Sequence, residues 1–250
     1  DETRLFRFLN DTQPREMAKL GVNNSDQKKR QFLNRLSGEI AKRGIIDVLR
    51  NGVKAYPADL IMFYFTPTEN NEKSKQMFEK NIFSVTRQLR YSIDASKLAL
   101  DLCLFINGLP VITIELKNHF TGQTTADAVE QYKEDRDPRD TLFSFKRCMV
   151  HFAVDDQTIM FCTKLAGKDS WFLPFNKGYN DGTGNPPNPD GIMTDYLWKD
   201  ILTKWKLSRI IENYAQVVVD EDPDTKKKTV KQIWPRYHQL DCVEKLLADV

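Results

Sequence analysis

Between residues 98 and 117, two apolar runs, 98–106 and 110–116, flank the dipeptide Asn107-Gly108. Asn-Gly supplies the positive-φ positions that a tight turn between antiparallel strands requires. The chain is thereby committed to a β-hairpin and to a fold that can house one. The same stretch is the most apolar in the chain. Asp101, Asn107, Gly108 and Glu115 interrupt it, so it is not a membrane span.

Around the hairpin the apolar residues recur with other periods. Phe32, Leu33, Leu36, Ile40, Ile46 and Leu49 are spaced mostly by three and four, which predicts a helix that Asn51-Gly52 stops. Residues 60–65 (LIMFYF) read as a short buried strand, and 82–91 as another. Thr124-Thr125-Ala126-Asp127 opens a helix through about Glu134 with a capping-box-like start. Residues 148–154 and 158–163 predict a second hairpin around Asp155-Asp156. Residues 1–30 are polar, with apolar points at Leu5, Phe6 and Leu9. Residues 174–191 are dense in Gly, Pro and Asn and read as a long loop. An amphipathic helix fits 196–214, and a last helix starts near Tyr237. This order of elements predicts an α/β fold, a mixed β-sheet flanked by helices.

Composition narrows the class. A chain of 250 residues can bury a sizeable core, as one large domain or two small ones. Basic and acidic residues number 37 and 35, and a net charge of +2 points to no partner. The cysteines (103, 148, 162, 242) and histidines (119, 151, 238) show no short-spaced pairs, so no structural zinc site is expected. A reduced, cytoplasmic setting fits the free thiols. The start without methionine and the end within a helix lead us to expect a piece of a longer chain.

The chemistry concentrates on the hairpin. Glu115 and Lys117 are two apart on a strand, so their side chains leave the same face. If residues 107–109 form a three-residue loop, 106 pairs with 110 and Asp101 falls opposite Glu115. A two-residue loop shifts the register by one and separates the carboxylates onto opposite faces. Opposed carboxylates repel unless a cation lies between them, and a hard divalent ion, Mg²⁺ first, suits two oxygen ligands. Asp101 and Glu115 are therefore the candidate metal ligands. With Lys117 to stabilise charge on a phosphate or orient water, the set suits phosphodiester hydrolysis. The bare Asp/Glu-x-Lys pattern is weak. It also occurs at Asp26-Gln27-Lys28 and Asp224-Thr225-Lys226, but only 115–117 ends an apolar strand with an acid on the strand before it. Rim charges on a half-exposed sheet are the plain alternative.

Several segments resemble the amino-terminal part of the R subunit of type I restriction–modification enzymes. They are 43–49 (RGIIDVL), 81–91 (NIFSVTRQLRY), 100–118 (LDLCLFINGLPVITIELKN), 128–138 (AVEQYKEDRDP), 151–155 (HFAVD), 172–178 (FLPFNKG) and 184–186 (GNP). The resemblance implies a PD-(D/E)xK nuclease core and a type I site-specific deoxyribonuclease that cuts double-stranded DNA with Mg²⁺. Asp101, Glu115 and Lys117 would be its catalytic trio. Cutting would follow ATP-driven translocation by a complex with modification (methyltransferase) and specificity subunits. Many relatives carry Gln followed four residues later by Tyr on the next helix. Here Gln131 is present, but position 135 is Asp and the tyrosine is Tyr132. Gln131 could face the site or be a solvated helical residue. Glu39, beside Leu36 and Ile40, is the candidate acid from a first helix, or an exposed flank of it.

DNA contact requires positive charge near the site, and Lys117, Arg87, Arg90 and Lys133, with Lys97, are the candidates. Each alone also reads as solvated surface. The expected organisation is an endonuclease domain at 1–218, a charged linker at 219–230, and the first residues of a motor domain at 231–250. The phosphate-loop pattern is absent, so no ATP-binding residues are expected in this chain. A non-catalytic docking module of the same subunit and a PD-(D/E)xK repair nuclease are the rival readings.

Overall fold

The computed structural model describes residues 1–91, 98–223 and 225–248; Lys97 and Asp224 lie outside them. The amino-terminal part is helical: α1 (Glu2–Thr12), α2 (Pro14–Leu20), α3 (Asp26–Arg43) and α4 (Ile45–Asn51). Leu5, Phe8 and Leu9 are buried on α1, so the polar first thirty residues do carry helices. The period from Phe32 to Leu49 is two helices, not one. Gly44, at φ 88°, breaks it, and the backbone turns so that Ile45 N bonds to Lys146 O. Gly52 ends α4 at φ 66°, as its type requires.

A small hairpin follows, β1 (Val53–Ala55) with β2 (Ala58–Leu60), and then α5 (Glu72–Glu79). The run at 60–65 is not a strand beyond Leu60. Side-chain amides hold it instead. Asn81 bonds to both N and O of Tyr64, and Asn107 Nδ2 donates to Met62 O. The apolar content buries Met62 and Phe63, but the backbone is satisfied without a ladder.

The main sheet has six strands in sequential order: β3 (Phe83–Arg90), β4 (Ala99–Ile106), β5 (Leu109–Leu116), β6 (Val150–Val154), β7 (Ile159–Cys162) and β8 (Leu173–Pro174). Only β5 and β6 are parallel; the other neighbours are antiparallel. The helix α6 (Thr125–Glu134) is the crossover between them, and Thr124 with Asp127 forms its capping box. The second hairpin, β6–β7, forms as its pattern predicts.

Two apolar clusters cover the sheet. The larger packs Ile106, Ile112, Ile114 and Phe152 with residues of α1, α3, α4 and α7 (Lys204–Asn213). The smaller packs Cys103, Phe105 and Ala153 under Ala128 and Tyr132 of α6, with Phe143. Helices thus lie on both faces of a mixed sheet. The helix expected over 196–214 is interrupted: a π-type turn at Leu197–Ile201 ends at Leu202, and Thr203 caps α7 afresh by accepting from Lys206 N.

The charged segment expected as a linker is a two-stranded antiparallel ribbon, β9 (Gln216–Glu221) with β10 (Lys228–Ile233). Val217, Val218, Val219 and Val230 favour strands, and Lys231–Asp220 at 2.6 Å and Lys228–Glu221 at 3.6 Å pair across it. Beyond it, Trp234 and Leu240, the latter on α8 (Tyr237–Ala248), bury into the larger cluster. Among the described residues no helix is long and apolar enough to cross a membrane.

Candidate active site

The turn at Asn107-Gly108 is a two-residue one, with Ile106 paired to Leu109 and φ of 51° and 81°. The three-residue loop is therefore incorrect. Gly108 is required for a second reason: a Cβ there would lie 2.6 Å from Leu5 N on α1. A two-residue turn alone would set Asp101 against Ile114. A β-bulge prevents this. Phe105 pairs with Pro110 but Leu104 pairs with Ile112, so Val111 is the extra residue. Beyond the bulge Leu102 pairs with Ile114, and one step further the register brings Asp101 level with Glu115. Asp101 Oδ2 accepts from Leu116 N at 2.9 Å, which ties its carboxylate to that level of β5.

Three alternate residues of β5 and its extension meet three partners from α6 and the turn after it. Thr113 Oγ lies 2.9 Å from Tyr132 Oη and 2.7 Å from His151 Nδ1, all buried. Burial pushes the His151 imidazole down to about 3, so it is neutral. Next, Glu115 is wholly buried, and Oε1 accepts from Arg136 Nε at 2.7 Å and Nη2 at 2.6 Å. Lys117, half-buried, donates from Nζ to Gln131 Oε1 at 2.7 Å. Gln131 therefore faces Lys117.

Glu115 Oε2 is buried with no hydrogen-bond partner. The carboxyl within reach of Glu115 is that of Asp101, which, when ionised, has no proton to offer. Burial pushes the Glu115 carboxyl up to about 7; the Arg136 guanidinium opposes the rise and the Asp101 charge adds to it. A buried carboxyl oxygen with no protein donor, beside a second carboxyl, can be answered by a proton shared between the two or by a cation. Two hard oxygen donors suit Mg²⁺ or Mn²⁺ better than a softer ion.

Three contributors were not foreseen. Arg136 is 1% exposed and, besides Glu115, donates to Tyr91 Oη and Ala99 O, each at 3.0 Å. Its only sequence sign is the spacing of four from Tyr132, hidden in a run of charges. Gln88, at φ 50° on β3, donates to Asp101 Oδ1 at 2.8 Å. Tyr91 completes the shell around Arg136.

Glu39 and Arg87 are not on the face of the sheet that holds the carboxylates. Glu39 pairs with Arg43 at 2.8 Å and Arg35 at 3.1 Å, both on its own helix. Arg87 is exposed in a groove with Leu102, Leu104 and Ile114, on the side of the sheet away from Glu115. Arg90 is exposed at the end of β3, and Lys133, half-buried on α6, places its charge near Cys162. His119, Asp155 and Asp156 have ligand atoms within 4.8 Å of one another. Protein donors already engage this group: Asp155 accepts from Thr125 N, Gln157 N and Thr158 N, and His119 pairs with Asp156.

Comparison with known proteins places the chain in a family. The curated "Putative type I restriction enzyme MjaVIIIP endonuclease subunit" of Methanocaldococcus jannaschii is 24% identical over 227 residues. The match covers 85% of this chain but only 19% of that protein, so the chain spans about a fifth of its relative's length. A sequence profile described as "Type I restriction enzyme R protein N terminus" matches residues 11–170, which hold the hairpin, α6 and every contact of Glu115 and Lys117. The chain belongs to that family, the amino-terminal domain of type I restriction enzyme R subunits.

Proposed function

We propose that this domain is a Mg²⁺-dependent endonuclease with a PD-(D/E)xK core, hydrolysing phosphodiester bonds of double-stranded DNA. The observation that carries the reading is Glu115 Oε2, a buried oxygen without a donor beside the Asp101 carboxyl. Asp101 and Glu115 would hold the metal, which when bound supplies a polarised phosphoryl oxygen and an acidified water. Arg136 occupies Oε1 and so leaves Oε2 for the ion. Lys117 Nζ, steadied by Gln131, is a donor for the negative charge that builds on the phosphate. Gln88 and the Leu116 amide fix the two Asp101 oxygens, so the carboxylate does not reorganise when charge arrives.

The proposed setting is a cytoplasmic restriction complex with modification and specificity subunits, in which residues 231–250 would be the first residues of an ATP-driven motor domain. Residues 1–218 would be the nuclease proper. The test has two parts. Mn²⁺ titrated into the 250-residue chain should bind, and Asp101→Ala should abolish that binding. In the assembled enzyme, Asp101→Ala or Lys117→Ala should abolish DNA cleavage and leave ATP hydrolysis near normal. Cleavage that survives either change refutes the assignment and returns the domain to a docking role.

A further inference from the structure

A second surface of the domain has the chemistry of a DNA contact. A cleft of about 760 Å³ opens between α2, α3 and the β1–β2 hairpin. Lys19, Lys28, Arg35 and Lys54 line it, against one carboxylate, Asp59. Four cations and one anion line the wall, and Glu16 and Glu39, paired with Lys19 and Arg35, bring the local net charge to +1. Lys28 and Lys54 are exposed and have no ion-pair partner among the described residues. Lys19 pairs with Glu16 at 2.5 Å and Arg35 with Glu39 at 3.1 Å.

The floor is rigid. Val22, Phe32, Ala55 and Ala58 are buried beneath the charges. At the rim stands Tyr56, 99% exposed in the β1–β2 turn. An aromatic ring held fully in water gains nothing from the fold. Beside four cations it offers a hydroxyl to a phosphate and a flat face to a sugar. Lys28 and Arg35 lie along helix α3, whose far end meets Lys146 through Gly44. Eighteen residues make that helix about 27 Å long, the scale of one turn of duplex.

We propose that this cleft binds the sugar–phosphate backbone of duplex DNA at a distance from the bond to be cut. The proposal rests on the nuclease reading for its choice of polyanion. The cleft gives a nearly neutral domain two cations without an ion-pair partner among the described residues, Lys28 and Lys54, in one place.

The test is fluorescence anisotropy of a labelled duplex with the 250-residue chain in EDTA, where no cutting occurs. Each phosphate contact deepens the loss of affinity between about 50 and about 200 mM salt by roughly 3.5-fold. Lys28→Glu/Lys54→Glu should therefore show about 12-fold less salt-induced loss than the unsubstituted chain, and weaker binding at low salt. Tyr56→Ala should weaken binding by about tenfold or more, as loss of one hydrogen bond to a charged group does. These side chains are exposed, and thermal melting will show that the fold is kept. Lys73→Glu, an exposed lysine on α5 outside the cleft, should leave binding unchanged. No duplex binding by the unsubstituted chain, or cleft variants that bind like it, overturns the proposal. So does binding of inorganic phosphate at the cleft while duplex affinity is untouched by the variants, which would make it a small-anion site. Because the assay is metal-free, failure of Mn²⁺ binding at Asp101 and Glu115 would leave this result standing, and the reverse holds too.

Discussion

Replacing Glu115 by Gln should stabilise the domain at neutral pH, and the effect should vanish in acid. Burial holds the folded Glu115 carboxyl at about 7, against an ordinary value of 4.5. Between those two values the folded chain keeps a proton that the unfolded chain has lost. Stability therefore falls as pH rises through this window and is flat above it. A shift of that size corresponds to roughly 3 kcal/mol. Gln removes the charge while keeping the shape. Its carbonyl can accept from Arg136, and its amide puts a donor where Oε2 has none, next to the Asp101 acceptor. Urea unfolding of both proteins at about pH 4.5, 6 and 8 reads the gap directly. Taking the difference cancels groups that titrate alike in both, among them His151, whose depressed value favours folding as pH rises from about 3. The expected gap is near zero at the lowest pH and up to roughly 3 kcal/mol in favour of Gln at the highest. Mn²⁺ at about 100 times its dissociation constant should add about 2.7 kcal/mol to the unsubstituted protein and nothing to Glu115→Gln, nearly closing the gap. A gap that does not change with pH, or one unaffected by the metal, would refute the account of Glu115 as a buried carboxyl that an ion would hold ionised.

Arg136→Met should destabilise the fold by about 3–5 kcal/mol at pH 8, because it strands a buried carboxylate, and much less in the Glu115→Gln background. A double-mutant cycle by urea unfolding should return a coupling above about 1 kcal/mol. Asn107→Ala removes side-chain bonds to Ile82 N at 2.7 Å, Met62 O at 2.9 Å and Asn81 Oδ1 at 3.0 Å, and forces alanine to φ 51°. It should cost about 2–4 kcal/mol, with Asn107→Gly intermediate because only the backbone strain is relieved.

What could be read from the sequence was local. The turn at Asn107-Gly108 and the capped start of α6 are set by residues within four positions of each other, and both stand where their patterns put them. The breaks were harder. Gly44 sits inside an unbroken apolar period, and only the contact with Lys146, a hundred residues away, reveals it as the end of a helix. The run at 60–65 has strand composition, yet amides from Asn81 and Asn107 satisfy its backbone. Valines in the charged segment after residue 215 were enough to form β9 and β10, because the charges pair across the ribbon instead of repelling.

The site depends on the hairpin being irregular. A regular two-residue hairpin would hold Asp101 against Ile114 and keep the carboxylates on opposite faces. The turn residues demand that regular start, since Asn107 and Gly108 both take positive φ. Bringing Asp101 and Glu115 together therefore needs one more residue in β5, and Val111 is that residue. Buried and apolar, Val111 shows nothing in its identity that marks a bulge. The expected three-residue loop inserted the extra residue in the wrong place but with the same count, which is why it arrived at the right opposition. The irregularity carries a cost at the far end. Two acids packed at one level of a sheet oppose folding through burial and mutual repulsion, as the raised Glu115 carboxyl shows. Arg136 and Gln88 relieve part of that cost but leave one oxygen of Glu115 unanswered. A hairpin selected for stability alone would not combine a bulge, two facing acids and an orphan oxygen. Their joint presence in one strand pair is the physical argument for a bound cation.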